Sequence, residues 1–168
     1  FIVNLASGLC LMLALRAGLI GGLGSTVHGV ERKSFGDMLL ALAVGVLFLR
    51  SAGQQILYVL PLAVLTLSDA AAALVGTRYG KRLFEVEAGT KSVEGTVMFF
   101  LVTWILGLVL LLLMTDIGRA NVVILSLVIA AFGAQIEADS WRGLDNLFVP
   151  VGIHLMLESH LASSAPSL

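Results

Sequence analysis

Asp69 is the residue that most needs a chemical explanation. It stands in TLSDAAAALVGTRYGKR, residues 66–82, where a long apolar run meets a carboxylate, four alanines and then a burst of positive charge. An Asp in the middle of a membrane helix costs about 2.5–3.5 kcal/mol on insertion scales. Such an acid therefore faces a cavity, a partner or an ion, unless it lies close enough to the interface to be wetted. Ala72, Ala73, Gly76 and Gly80 follow it at helical spacing and give one nearly bare face. Small residues on one face permit close helix packing, and beside a carboxylate the same bareness suits a phosphate and its metal ion. The run GTRYGKR is not a Walker loop, because three residues rather than four separate Gly76 from Gly80, and Arg82 follows Lys81 where Ser or Thr is required.

A second group lies in AGTKSVEG, residues 88–95. Gly89 allows a turn, Lys91 offers a compact charge, and Ser92 is placed to cap a helix beginning just after it. Free backbone N–H groups, the positive helix end and an ammonium then coincide as an anion site. The plainer reading is a capped helix start with a snorkelling Lys. A third group is the elbow EADSWRGLDNLFVP, with Glu137 at one end and Asp145 near the other. Brought near Asp69, these hard carboxylates suit Mg2+, which takes oxygen ligands and keeps some of its waters. Asp145-Asn146 would serve equally as a helix cap. In VERKSFGD, Glu31, Arg32 and Lys33 either anchor the chain at the membrane surface or neutralise a polyphosphate. His28, His154 and His160 do not stand at ligand spacing from one another, so no zinc site is expected. Pro61 reads as a kink whose lost hydrogen bond neighbouring helices repair.

The elements that must position these groups are membrane helices. Of the 168 residues, 58% are hydrophobic and 12% charged, and the mean hydropathy is +1.02, which does not describe a chain that covers itself with polar side chains in water. The formal net charge of −1 speaks against nucleic acid as a partner. The single Cys10 excludes a disulfide framework and a thiolate metal site within the chain. Apolar runs near residues 1–24, 35–52, 55–77, 95–115, 120–137 and 145–160 predict an all-α bundle of about six spans. Residues 1–161 are expected to form one membrane-embedded domain, with 162–168 a flexible tail. The first run lacks the leader and cleavage site of a signal peptide, and the expectation is that the N-terminus is trimmed. The loops after the first, third and fifth runs hold Arg32, Lys33, Arg78, Lys81, Arg82, Lys91 and Arg142, whereas those after the second and fourth hold Arg50 and Arg119. Basic residues gather on the cytoplasmic side, so a multi-pass protein with its polar machinery facing the cytoplasm is expected.

In combination these residues resemble a family. Ser68-Asp69, then Gly76 and Gly80 with basic neighbours, then Lys91-Ser92-x-Glu94-Gly95, then Glu137 followed by Asp145-Asn146 and a proline, are similar to the membrane-embedded, CTP-using polyprenol kinases. That family includes phytol, farnesol and dolichol kinases and the yeast-type diacylglycerol kinase, and the resemblance covers roughly residues 28–152. It implies phosphoryl transfer from CTP to a membrane prenol such as phytol, geranylgeraniol or a dolichol, giving CDP and the lipid monophosphate. It implies Asp69, Lys91 and Asp145 as catalytic residues, and Asp69, Glu137 and Asp145 as ligands of Mg2+. Arg32, Lys33, Ser68, Gly76, Arg78, Gly80, Lys81, Lys91, Ser92, Glu94 and Asn146 would line the nucleotide. CTP, a lipid alcohol and the bilayer are the expected partners, with a homo-oligomer left open. Phosphatidate cytidylyltransferases share part of the pattern, but they end in a glycine-rich, His-containing segment leading into Leu-Asp-Arg where this chain has WRGLDNLFVP. A small-ion transporter with Asp69 and Glu137 on its path is the alternative outside the enzymes; clustering of the polar residues at one end argues against it.

Overall fold

A computed structural model describes residues 36–51, 53–87, 89–139 and 143–164. The chain runs α1 (Gly36–Arg50), α2 (Ile56–Ala63), a π-helical turn (Val64–Ser68), α3 (Asp69–Tyr79), β1 (Leu83–Val86), β2 (Gly89–Ser92), α4 (Val93–Met114), α5 (Arg119–Ala138) and α6 (Asp145–Ser164). Among the described residues, three helices are long and apolar enough to cross a membrane: Ile56–Tyr79, which joins α2, the π-turn and α3, and then Val93–Met114 and Arg119–Ala138.

The expected count of six spans is therefore not carried by the described residues. The run 1–24 lies outside them, and α1 has 15 residues. Its described length, at about 1.5 Å per residue, is less than the thickness of the hydrocarbon core. α6 has the length, with 20 residues, but Asp145, Glu158, His154 and His160 dilute its apolar face. It also runs to Ser164, into the segment expected to be a loose tail.

The all-α expectation needs a second correction. Residues 83–92 form an antiparallel hairpin in which Leu83 pairs with Ser92, Phe84 with Lys91, Glu85 with Thr90 and Val86 with Gly89. Gly89 has φ +132°, a conformation that glycine adopts without steric penalty. The hairpin runs directly into α4, and the Val93 N–H donates to the Arg82 carbonyl at 2.9 Å.

Packing follows residue size. On α4 the buried positions Gly95, Phe99, Thr103, Gly107 and Leu111 recur every fourth residue, the spacing of a helix ridge. They face α5 and the Ile56–Tyr79 helix. Val97, Leu101, Ile105 and Val109 stand outward, as befits a surface that meets lipid chains. Gly107 lets α5 approach, because a Cβ there would lie 2.9 Å from the Ser126 Cβ.

Pro61 lies inside α2, and its missing N–H leaves the Leu57 carbonyl without its helical donor. His154 of α6 fills that role: its Nδ1–H donates to Leu57 O at 2.9 Å. The ring is 1% exposed. Its Nε2 lies 3.8 Å from Glu158, which pairs with Arg50 of α1 at 2.9 Å. A histidine set aside as a metal ligand thus makes the repair that the proline requires.

Candidate functional site

Four charged residues from four elements meet at one end of the bundle. Asp69 opens α3 immediately after the π-turn, and Lys91 lies on β2 opposite Phe84. Glu137 is the penultimate residue of α5, and Asp145 is the first of α6. The Lys91 ammonium donates both to the Glu137 carboxylate and to the Glu137 backbone carbonyl. Their side chains are 21% and 10% exposed. Asp69 and Asp145 are half-buried. Asp145 and Lys91 lie close enough to Asp69 for their charges to reach it, and Lys91, Asp69 and Asp145 all lie within such reach of Glu137.

π-turns occur often at functional sites, and this one carries Ser68 and delivers Asp69. Ser68 itself is fully buried, and its hydroxyl accepts from Thr103 of α4 at 2.9 Å. The structure therefore gives Ser68 a role in joining helices, where the sequence had suggested contact with a nucleotide.

The small-residue face of α3 also has an occupant. A Cβ at Gly76 would lie 3.0 Å from Ser92 Oγ, and one at Gly95 would lie 3.0 Å from the Ala72 carbonyl. Gly80 meets the Cβ and hydroxyl of Ser92. The expected room for a triphosphate along Ala72, Gly76 and Gly80 is thus filled by the first turn of α4. Close helix packing explains these glycines.

Ser92 behaves as its spacing predicts and caps α4, with its hydroxyl accepting from the Gly95 N–H at 3.1 Å. Glu94 reaches back to accept from the N–H groups of Lys81 at 3.1 Å and Arg82 at 3.3 Å. It thereby fixes the path of the basic loop. Arg78, Lys81 and Arg82 are exposed, and the Arg78 guanidinium lies 5.6 Å from the centre of the Tyr79 ring. Gly143, with φ +85°, makes the bend before α6, where the Asn146 N–H donates to the Gly143 carbonyl at 3.2 Å. Arg32 and Lys33 lie outside the described residues.

Among the described residues no three His, Cys, Asp or Glu side chains are gathered to hold a metal ion by themselves. The set Asp69, Glu137 and Asp145 is therefore not a closed metal cage, and Glu137 is already engaged by Lys91. The carboxylates of Asp69 and Asp145 are of the chemical kind that Mg2+ takes, commonly one or two at a time with phosphate oxygens and water completing its shell. A separate cavity of about 730 Å3 lies at the other end of α4, lined by Gln54, Gln55, Met114, Asp116, Ile117 and Asn121 among others.

The sequence reading missed three features here: the hairpin, the Ser68–Thr103 contact and the ion pair between Lys91 and Glu137. For the first, the signal in Leu83, Phe84, Glu85 and Val86 is slight, since only Phe84, Glu85 and Val86 alternate. Nothing in the linear sequence pairs positions 46 residues apart.

Helices of this kind with an acid and lysine cluster at one end define a class, a helical membrane protein with its polar chemistry gathered at one end of the bundle. No family model matches the chain, and no solved structure does. A curated relative, the phytol kinase of Synechocystis sp., is 32% identical over 133 residues, which are 78% of this chain and 57% of the relative. The chain thus spans just over half the length of the relative it matches. That likeness supports a phytol/polyprenol kinase-like family.

Proposed function

We propose that this chain is the membrane-embedded catalytic part of a lipid-alcohol kinase that transfers the γ-phosphoryl group of CTP to a prenol. Phytol, geranylgeraniol and dolichol-type alcohols are the substrate class. The observation that carries the proposal is the convergence of Asp69, Lys91, Glu137 and Asp145 from four elements at one end of an apolar bundle. The likeness to a phytol kinase supports the choice of acceptor.

Phosphoryl transfer asks a protein for positioning and charge neutralisation, with nucleophile and leaving group roughly in line. Asp69 and Asp145 would hold Mg2+, which when bound neutralises charge on the β- and γ-phosphate oxygens. Lys91 would meet phosphate oxygens from the side opposite its Glu137 partner. Arg78, Lys81 and Arg82 on the exposed loop would draw the nucleotide in. The prenol hydroxyl oxygen bonds to the γ-phosphorus as the bond to the β–γ bridging oxygen breaks. Its proton passes to a carboxylate of the cluster, and CDP leaves. A bundle suits this acceptor, because a lipid tail can remain among the outward apolar residues while its head reaches the charged end. That end would face the cytoplasm, where CTP is found.

The test is to incubate purified protein in detergent with labelled CTP, Mg2+, a panel of prenols and phosphatidate, and to resolve the nucleotide products. CDP formed only with an alcohol is the expected result. Pyrophosphate released together with a CDP-lipid would make the protein a cytidylyltransferase.

A further inference from the structure

The Lys91 ammonium is held at two points, and both belong to one residue. It donates to the Glu137 carboxylate and to the Glu137 backbone carbonyl. That carbonyl lies in the last turn of α5, where carbonyls lack helical donors and a lysine is a favourable partner. The other end of the side chain is equally constrained: Lys91 pairs across the hairpin with Phe84, and the next residue caps α4. A lysine normally has many rotamers to lose. This one is anchored at its root by the hairpin and at its tip by α5.

We infer that Glu137 is a positioning residue for Lys91 and not a metal ligand. It holds the ammonium beside Asp69 and Asp145, where phosphate oxygens would arrive, and it locks the hairpin onto α5. The inference rests on the kinase reading for its chemistry, but the geometric part stands apart from it. The Lys91 ammonium seated on the Glu137 carboxylate, which is 10% exposed, repels a second cation there. Asp69 and Asp145, which face each other's negative charge, attract one.

The experiment uses the full chain purified in detergent, with Glu137→Gln, Lys91→Met, the double variant and Glu137→Asp as the charge-retaining control. The first readout needs no activity: amine acetylation of the lysines, followed by mass spectrometry. In the wild type Lys91 is expected to label far more slowly than the exposed Lys81, and Glu137→Gln is expected to raise Lys91 labelling about tenfold, the weight of one charge-assisted bond. Glu137→Asp, which keeps the charge, restores part of the protection and covers the case in which the Gln variant does not fold. The second readout is kinetic. Glu137→Gln is expected to raise the KM for CTP while leaving the Mg2+ concentration for half-activation unchanged, and the double variant should lose no more than Lys91→Met alone. Equal labelling of Lys91 in wild type and variants would overturn the positioning role. A raised Mg2+ requirement with an unmoved KM, or additive losses, would make Glu137 a metal ligand instead. If the wild type makes no CDP from any prenol, the kinase reading fails, while the labelling comparison still decides whether Glu137 fixes Lys91.

Discussion

At the scale of single residues, Asp69 and His154 show two ways in which a polar group earns its place in an apolar bundle. Asp69 stands half-buried beside Asp145 and Lys91, an arrangement suited to charge and ill suited to packing alone. Asp69→Asn keeps size and shape, so folding should be retained while turnover falls at least about a hundredfold, the usual consequence of removing one electrostatic partner of a reacting group. Rates and a melting curve on the same preparation check both halves. His154 is structural. Replacing it by Leu leaves the Leu57 carbonyl, already deprived of a donor by Pro61, without a partner, and should destabilise the protein by about 1–3 kcal/mol. Thermal unfolding in detergent, with the parent chain and the variant side by side, reads that difference.

Among the elements, the α3–hairpin–α4 unit does most to build the site. Ser92 ends β2, caps α4 and lies against Gly76 of α3 and Gly80 just after it, so one short side chain sits where three elements meet. Ser92→Ala should remove about 1 kcal/mol of stability through the cap. Gly95→Leu should do more: its side chain would press on the Ala72 backbone, with a Cβ already at 3.0 Å, and overpacking of this kind commonly costs about 1–3 kcal/mol. Equilibrium unfolding of both variants gives the order, and a Leu variant as stable as the parent would mean that α3 and α4 do not approach as described. The sequence was informative about local matters here. The Ser92 cap and the position of α4 follow from residue types within a few positions. The role of the glycines was legible only as two alternatives, because a bare helix face looks the same whether a neighbouring helix or a phosphate covers it. The hairpin was hidden by its length: four residues per strand give too short an alternation to stand out from a polar loop.

For the molecule as a whole, composition made the membrane reading secure, and three helices have the length and apolarity to cross. Six spans are not carried by the described residues: α6 has the length but is interrupted by Asp145, His154, Glu158 and His160, and the run 1–24 lies outside them. The gathering of the acids and Lys91 at one end was legible from their order along alternating loops. Their pairing was not, since Lys91 could have met any of three carboxylates and the fold selects Glu137. The likeness to a phytol kinase covers 78% of the chain and therefore includes part of the charged cluster whatever its register. The central claim is tested most directly by following the label of γ-phosphate-labelled CTP in the presence of Mg2+ and a prenol, with wild type and Asp69→Asn side by side. Label recovered on the lipid alcohol with the wild type, and absent with Asp69→Asn, is the expected result. Label that leaves as pyrophosphate, or that reaches the lipid equally well without the Asp69 carboxylate, would contradict it.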